Sequence, residues 1–577
     1  MTIFAGIVSR RPGRPIPEPA RRELSELLSR HPGEQVMTRV GADWLLAKVD
    51  IGAYGHAGIV DGEQGDVSLL AGDPIYLERH DGRHADLQAL HRDWQSGDWS
   101  SLRECRGTFA AAHFDPASRR LHLVADKLGV RPVYYWANDD WVVFSTAFRV
   151  LERLSLVERR IDLRGVTEKA CFTFPLADRT IFEGVHTIAA GEVVSFDDGR
   201  IDHIRYWRWD ELPALDLPQD ELAATLYARF KDAVARRLRG DRTALSFLSG
   251  GLDSRAIVAV LSDVGAHIHT LNFAPVGTQD ELFGAEIAKR LGTRHLALPQ
   301  RSEAFGEQQR RIFDLWHDSL QAGEAEPEHP RLIWSGDGGS VGVGHVYLTP
   351  EMVQMARQGK LREAAQAFLD KQHLAVPRSV LKRDAVARLA DLPVQGIVDE
   401  VNTQHCADRG RALHLFLMNN DQRRHLADHF ENIDVRRIEL HLPFFDAHFM
   451  AGILASPIDG FLRHRFYNLW LGQFPAAARE VPWQSYPGHE ACPLPMPEGL
   501  RYQWRDVFSD DVVAERRRKV VEEGLELLRS APFPSHVIDR LKLRLMLWAM
   551  KWGVRDTAYV VSFVRPYVRC WQHCQPR

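Results

Sequence analysis

An apolar run, Ala244-Leu245-Ser246-Phe247-Leu248, passes without a break into Ser249-Gly250-Gly251-Leu252-Asp253-Ser254. The run has the length and composition of a buried strand, and Ser254 to Leu261 reads as a helix, so the residues between form a strand-to-helix turn. Gly250 and Gly251 let the backbone turn tightly, so that successive N–H groups face one point at a helix start, where an anion is favoured. Ser249 and Ser254 add hydroxyl donors. Asp253 would repel a bare phosphate, and its presence points to a bridging Mg2+, a hard cation suited to carboxylate oxygen. The Gly-Lys-Ser/Thr ending of the loop that grips a terminal phosphate is missing. A second strand, His269–Phe273, and a helix, Asp280–Leu291, come next. Strand, helix, strand, helix predicts a parallel sheet whose ligands gather beyond the carboxyl ends of its strands.

The chain is 577 residues long, too many for one compact core. Residues 1–210 read as short strands broken by turns, with one clear helix at Glu18–Arg30, which predicts an α+β layered domain. The Pro213–Pro218 stretch reads as a linker. A helix over Asp220–Leu238 follows, with Leu222, Leu226, Phe230, Val234 and Leu238 spaced by four. From about residue 350 the pattern is mainly helical, so residues 211–577 form the second domain. A formal charge of −4 leaves no footprint for nucleic acid or for an acidic membrane, and Arg516-Arg517-Arg518-Lys519 reads as a solvated helix face. The six scattered cysteines have no zinc or disulfide spacing, and no apolar stretch reaches the roughly 18 residues of a membrane span. The first residues lack the basic and apolar regions of a secretory signal. A reducing, cytoplasmic setting is expected.

Two further segments complete a recognisable set: Ser335-Gly336-Asp337-Gly338-Gly339-Ser340-Val341-Gly342, after an apolar strand at Arg331–Trp334, and Glu439-Leu440-His441-Leu442-Pro443-Phe444-Phe445-Asp446. With the Ser249–Ser254 loop they resemble the asparagine synthetase family, in which an N-type ATP pyrophosphatase domain follows a glutaminase domain of the N-terminal-nucleophile fold. The resemblance runs from Met1 to about Pro495. It implies ATP and Mg2+ as cofactors. Leu248 and Phe273 would contact the adenine. Ser249, Gly250, Gly251, Asp253 and Ser254 would hold the pyrophosphate, and Ser335 and Gly336 would touch the nucleotide. The acidic pair that usually ends the second loop is Ser340-Val341 here, which leaves Asp253 and Asp337 as the metal-binding acids. Glu439 matches a glutamate that handles the amine proton in β-lactam synthetases; paired with Asp337 it would form two carboxylates sharing a proton. The family's later lysine is absent from Val481–Glu490, leaving His489 or an upstream arginine to supply positive charge.

In residues 1–210 the resemblance rests on Arg106-Gly107-Thr108-Phe109, on Asp126-Lys127-Leu128-Gly129-Val130-Arg131-Pro132 and on Phe144-Ser145-Thr146-Ala147. The glutaminase chemistry itself is missing. Thr2 stands where a cysteine nucleophile is required, the clamp for the glutamine carboxylate is gone, and the Asn-Gly-Glu oxyanion segment is Ala71-Gly72-Asp73. The domain is expected to be a retained scaffold, so the attacking nitrogen is not ammonia from glutamine. Among relatives without that cysteine, the chain looks most like the lasso peptide macrolactam synthetases. These adenylate an Asp or Glu side chain of a precursor peptide and close the ring with its N-terminal amine, alongside a leader peptidase partner. A β-lactam or other amide synthetase acting on a small amino-acid derivative, an asparagine synthetase using free ammonia and a catalytically dead binding scaffold are the competing readings.

Overall fold

The computed structural model describes residues 3–76, 82–197, 199–298, 318, 327–500 and 510–574. Alternation of apolar and turn residues in the first part produces two six-stranded antiparallel sheets. One is centred on Ile3–Ser9, paired with Trp44–Val49 and Trp141–Ser145. The other is centred on Phe109–Asp115 and Arg120–Ala125. The Ile3–Ser9 strand is buried throughout because it is central in its sheet and covered on both faces. The Glu18–Leu28 helix closes the first sheet with Ala20, Leu24 and Leu28, spaced by four on one face. The Arg83–Gln95 helix covers the second with Leu87, Leu90 and Trp94. The result is an α-β-β-α sandwich, the layered arrangement expected for residues 1–210.

After a short turn at Trp209–Glu211 and an extended proline-bearing segment, the Gln219–Leu238 helix begins the second part, burying Leu222, Leu226, Phe230 and Val234. A five-stranded parallel sheet follows, in the order Arg294–Ala297, His267–Asn272, Thr243–Phe247, Leu332–Trp334, Glu439–His441. The sequence pattern marks the Thr243–Phe247 and His267–Asn272 strands and the helices Leu252–Asp263 and Gln279–Leu291 to within a few residues. It does not mark Arg294–Ala297 or Glu439–His441 as strands. Both are short, and one face of the second strand is polar. Because Thr243–Phe247 and Leu332–Trp334 are hydrogen-bonded neighbours, the loops that leave their carboxyl ends lie side by side.

The remainder is helical. Its last helix, Ala558–His573, returns to the first domain, where the Tyr567 hydroxyl lies 2.5 Å from that of Thr167 and Cys570 Sγ donates to the Ile181 carbonyl. Among the described residues no helix is long and apolar enough to cross a membrane.

Candidate active site

The two glycine-rich loops meet at Asp253. A Cβ on Gly339 would stand 2.4 Å from Asp253 Oδ1, and one on Gly336 would stand 2.9 Å from the Ser254 amide nitrogen, so only glycine allows this contact. Gly338 between them has φ +93°, a left-handed conformation that glycine adopts without strain. The Leu252–Asp263 helix starts here with Gly251 as its cap and no side-chain cap hydrogen bond, so its first amides point toward the cleft. Within the loop, Ser254 Oγ accepts from the Ser249 amide at 2.9 Å, and Ser249 Oγ accepts from the Gly251 amide at 3.2 Å. Leu248 is buried in the core, and Phe273 is half-buried with its ring 5.2 Å from that of Phe247.

Asp253 is held from three directions. Its Oδ2 accepts from the Ser340 amide (3.1 Å) and hydroxyl (2.7 Å), and its Oδ1 accepts from the Tyr467 hydroxyl (2.5 Å). The Ser340 hydroxyl also lies 3.2 Å from that of Tyr486. Burial pushes the Asp253 carboxyl up to about 6, against the pull of its donors and with Asp337 adding a further push. Asp253 offers a carboxylate oxygen of the kind Mg2+ prefers, with hydroxyls and the Asp337 carboxylate nearby, and a divalent cation would restore the ionised form that burial disfavours. Ser340, which looks in sequence like a lost acid, is here the residue that orients the remaining one.

Asp337 and Glu439 do not form a proton-sharing pair. Asp337 Oδ1 lies 3.1 Å from His425 Nε2, and its Oδ2 accepts from the Ser335 hydroxyl at 2.5 Å. Burial works to raise Asp337, but the His425 hydrogen bond and charge bring it below its ordinary value; His425 is raised by the same bond. Glu439 is fully buried and accepts from Arg131 Nη2 at 2.5 Å. The register explains the separation. Glu439 aligns with Leu332, three residues short of Ser335, which places it about 10 Å back along the sheet. Each acid has its own nitrogen partner, His425 for Asp337 and Arg131 for Glu439. Half-buried His429 feels the charge of both and is pushed down to about 4 by burial and by Arg436.

His489 does not supply the positive charge. It packs 4.9 Å from the His464 ring and 5.9 Å from the Tyr486 ring, and its Nδ1 lies 3.2 Å from the Pro487 carbonyl. Burial lowers its pKa, disfavouring the charged form. The cation beneath the loop is Arg255, fully buried, which donates to the carbonyls of Gly250 (3.0 Å), Ala478 (3.0 Å), Val481 (2.5 Å) and Pro482 (2.8 Å). Burial brings it down to about 9, so it stays charged at neutral pH. It straps the Val481–Tyr486 segment to the first loop. Its position directly after Ser254 was the only sequence signal for it; His425 and Tyr467 carried none.

The third motif also joins the two domains. Asp446 accepts from Arg106 (2.9 Å) and Arg237 (2.8 Å), and Arg106 further pairs with Asp232. Asp73, in the former oxyanion segment, pairs with Arg239 at 2.7 Å. The neighbouring space is filled by Arg83, which donates to the carbonyls of Gly72 (2.6 Å) and His56 (2.8 Å) with its guanidinium 4.6 Å over the Tyr54 ring. Buried Lys48 donates to the Leu70 carbonyl. Thr2 lies outside the described residues.

Comparison with known proteins agrees with this two-part architecture. A glutamine amidotransferase domain model matches residues 84–207, and an asparagine synthase model matches residues 225–326. Asparagine synthetase (glutamine-hydrolyzing) 3 of Bacillus subtilis is 28% identical over 201 residues, 34% of this chain and 31% of that protein. A putative asparagine synthetase (glutamine-hydrolyzing) 2 of Methanocaldococcus jannaschii is 24% identical over 205 residues, 34% of this chain and 39% of that one. The amidase chry2 of Gibberella zeae is 24% identical over 234 residues, 38% and 34% of the two chains. The matched region therefore spans only 31–39% of these relatives' lengths. Each match is partial: residues 84–207 are similar to a glutamine amidotransferase domain and residues 225–326 to an asparagine synthase domain.

Proposed function

We propose that the chain is an ATP-dependent, AMP-forming amide ligase, and specifically a lasso peptide cyclase. The observation that carries the first part is the meeting of the two glycine-rich loops on Asp253 at an uncapped helix start. In this reading a carboxylate oxygen of an Asp or Glu side chain attacks the α-phosphorus of ATP. The bond to the β-phosphate breaks and pyrophosphate leaves. The first-turn amides of the Leu252–Asp263 helix and the Ser249 and Ser254 hydroxyls hold that pyrophosphate. Mg2+ held by Asp253 would neutralise phosphate charge.

In the second step the amine nitrogen attacks the acyl carbon, the bond to AMP breaks, and the amine gives up a proton. His425, half-exposed and oriented by Asp337, is the group placed to take it. Glu439 is committed to Arg131, so it is assigned no proton. Asp337 is assigned to His425, and magnesium to Asp253 alone.

The source of nitrogen rests on the first domain. Arg83 and Lys48 bind the carbonyls beside Gly72, where a glutamine amide would need a donor-lined space, and Asp73 faces Arg239. This supports an amine that belongs to the peptide itself rather than ammonia released from glutamine. Incubation with ATP and a precursor peptide carrying an Asp or Glu at ring-closing distance is expected to give a product lighter by one water, with AMP formed in equal amount. ADP as the nucleotide product, or AMP formed only with free ammonia and aspartate, would overturn the reading.

A further inference from the structure

The Arg540–Lys551 helix buries Leu543, Leu547 and Met550, an ordinary core stripe. On its opposite side Leu541, Leu545, Trp548 and Trp552 are 65%, 57%, 60% and 67% exposed. At 3.6 residues per turn these four fall within about 60° of arc and run about 16 Å along the helix axis. The Trp548 and Trp552 rings lie 6.4 Å apart, and Val554, 73% exposed, follows them in the chain. Scattered exposed apolar residues are normal on a protein surface, but a continuous stripe of leucine and tryptophan is not.

The charges beside the stripe identify what it meets. Arg540, Arg544 and Lys551 border one edge by helical position, Lys542 borders the other, and Arg555 follows; all five are exposed. From residue 539 to 556 only Asp539 and Asp556 are acidic, and Asp539 caps the helix, accepting from the Leu541 and Lys542 amides. The near-neutral chain thus conceals a local cationic excess. Two copies meeting through this face would bring like charges together. A ridge on one helix offers no groove for a peptide. Indoles and leucines flanked by cations on a convex face match a flat surface that is apolar beneath and anionic at its boundary.

We infer that this face lays the C-terminal helices on an anionic phospholipid surface, with Trp548 and Trp552 entering the headgroup boundary and the cations binding lipid phosphates. The full chain is to be sedimented with extruded vesicles of phosphatidylcholine alone, or of phosphatidylcholine and phosphatidylglycerol in equal parts. Binding is expected on the mixed vesicles and to weaken with salt. Trp548→Ala with Trp552→Ala should weaken it more than about ten-fold. Arg544→Glu with Lys551→Glu should weaken it by a comparable factor, since each cation near such a surface strengthens binding roughly five-fold. All four side chains are exposed, so circular dichroism and the unfolding temperature should stay unchanged; if one double variant fails to fold, the other carries the test. Absence of binding to the anionic vesicles, equal binding to both compositions, or a concentration-dependent dimer abolished by the tryptophan changes would overturn the inference.

Discussion

Asp337 and Glu439 stand on neighbouring parallel strands or just beyond them, and they differ in what neutralises them. Asp337 faces a half-exposed histidine beside the second glycine-rich loop. Glu439 faces a buried arginine that arrives from the other domain and stacks 4.0 Å over the Phe430 ring. A carboxylate tied to a titratable, solvent-reachable partner can pass a proton at neutral pH. One tied to a buried guanidinium cannot, because the arginine never gives up its charge under those conditions. The same carboxylate group, a few residues apart in register, is thus open to titration with its partner in one case and locked into a domain contact in the other.

Substitutions can break this contrast, and the largest effects belong to the buried end. Arg131→Ala leaves Glu439 charged and alone, and is expected to cost about 3–5 kcal/mol of stability in denaturant unfolding. A well-folded Arg131→Ala protein would remove the structural assignment. His425→Ala should lower amide formation by about 10²- to 10³-fold while leaving unfolding nearly unchanged. AMP–pyrophosphate exchange driven by the peptide carboxylate should survive, since the proton is lost only in the second step. If exchange falls equally, His425 acts on adenylation instead.

The pH profile gives a smaller and sharper test. Asp337 raises the His425 pKa above its ordinary 6.5, so the ion pair supports the second loop fully below 6.5 and loses that support as pH rises through the raised value. Asp337 is lowered, so its share is present above 3.8 and fades as pH falls through the lowered value. A base must be neutral to accept a proton. Amide formation should therefore climb with pH across the range in which the pair's stabilisation declines, and the climb should vanish in His425→Ala. Smallest of all, Thr2→Ala should leave cyclisation within about two-fold of the unsubstituted chain if no N-terminal nucleophile is used. Loss of activity in a folded Thr2→Ala protein would return chemistry to the first domain.

The legible parts of this molecule were those where local pattern and tertiary role coincide. The Ser249–Ser254 turn needs glycines for its geometry and lies between two strongly patterned elements, so its place on a strand-helix junction could be read directly. The antiparallel first domain was legible for the same reason. The partners of the acids were not. His425 lies just after a wide π-helical turn at Leu417–Gln422 and some 90 residues from Asp337 in the chain, and no periodicity links the two. Arg131 was visible as part of a motif, but its motif belonged to the glutaminase half, and nothing local says that it reaches Glu439. In sequence Ser340 looks like a loss, because the family resemblance places an acid there. The structure gives it a positive task, donating two hydrogen bonds to Asp253.

The arginine contacts on Glu439 and Asp446 bear on how such a chain can change over time. Arg106 and Arg131 belong to the first domain, and the acids they hold are almost wholly shielded from solvent. A gene shortened to the second domain alone would encode a protein in which Asp446 keeps Arg237 but Glu439, on the edge strand of the sheet, loses the arginine that pairs with it. The first domain thus supplies counter-charges on which its neighbour's buried acids depend, a reason to retain it that is independent of any reaction of its own.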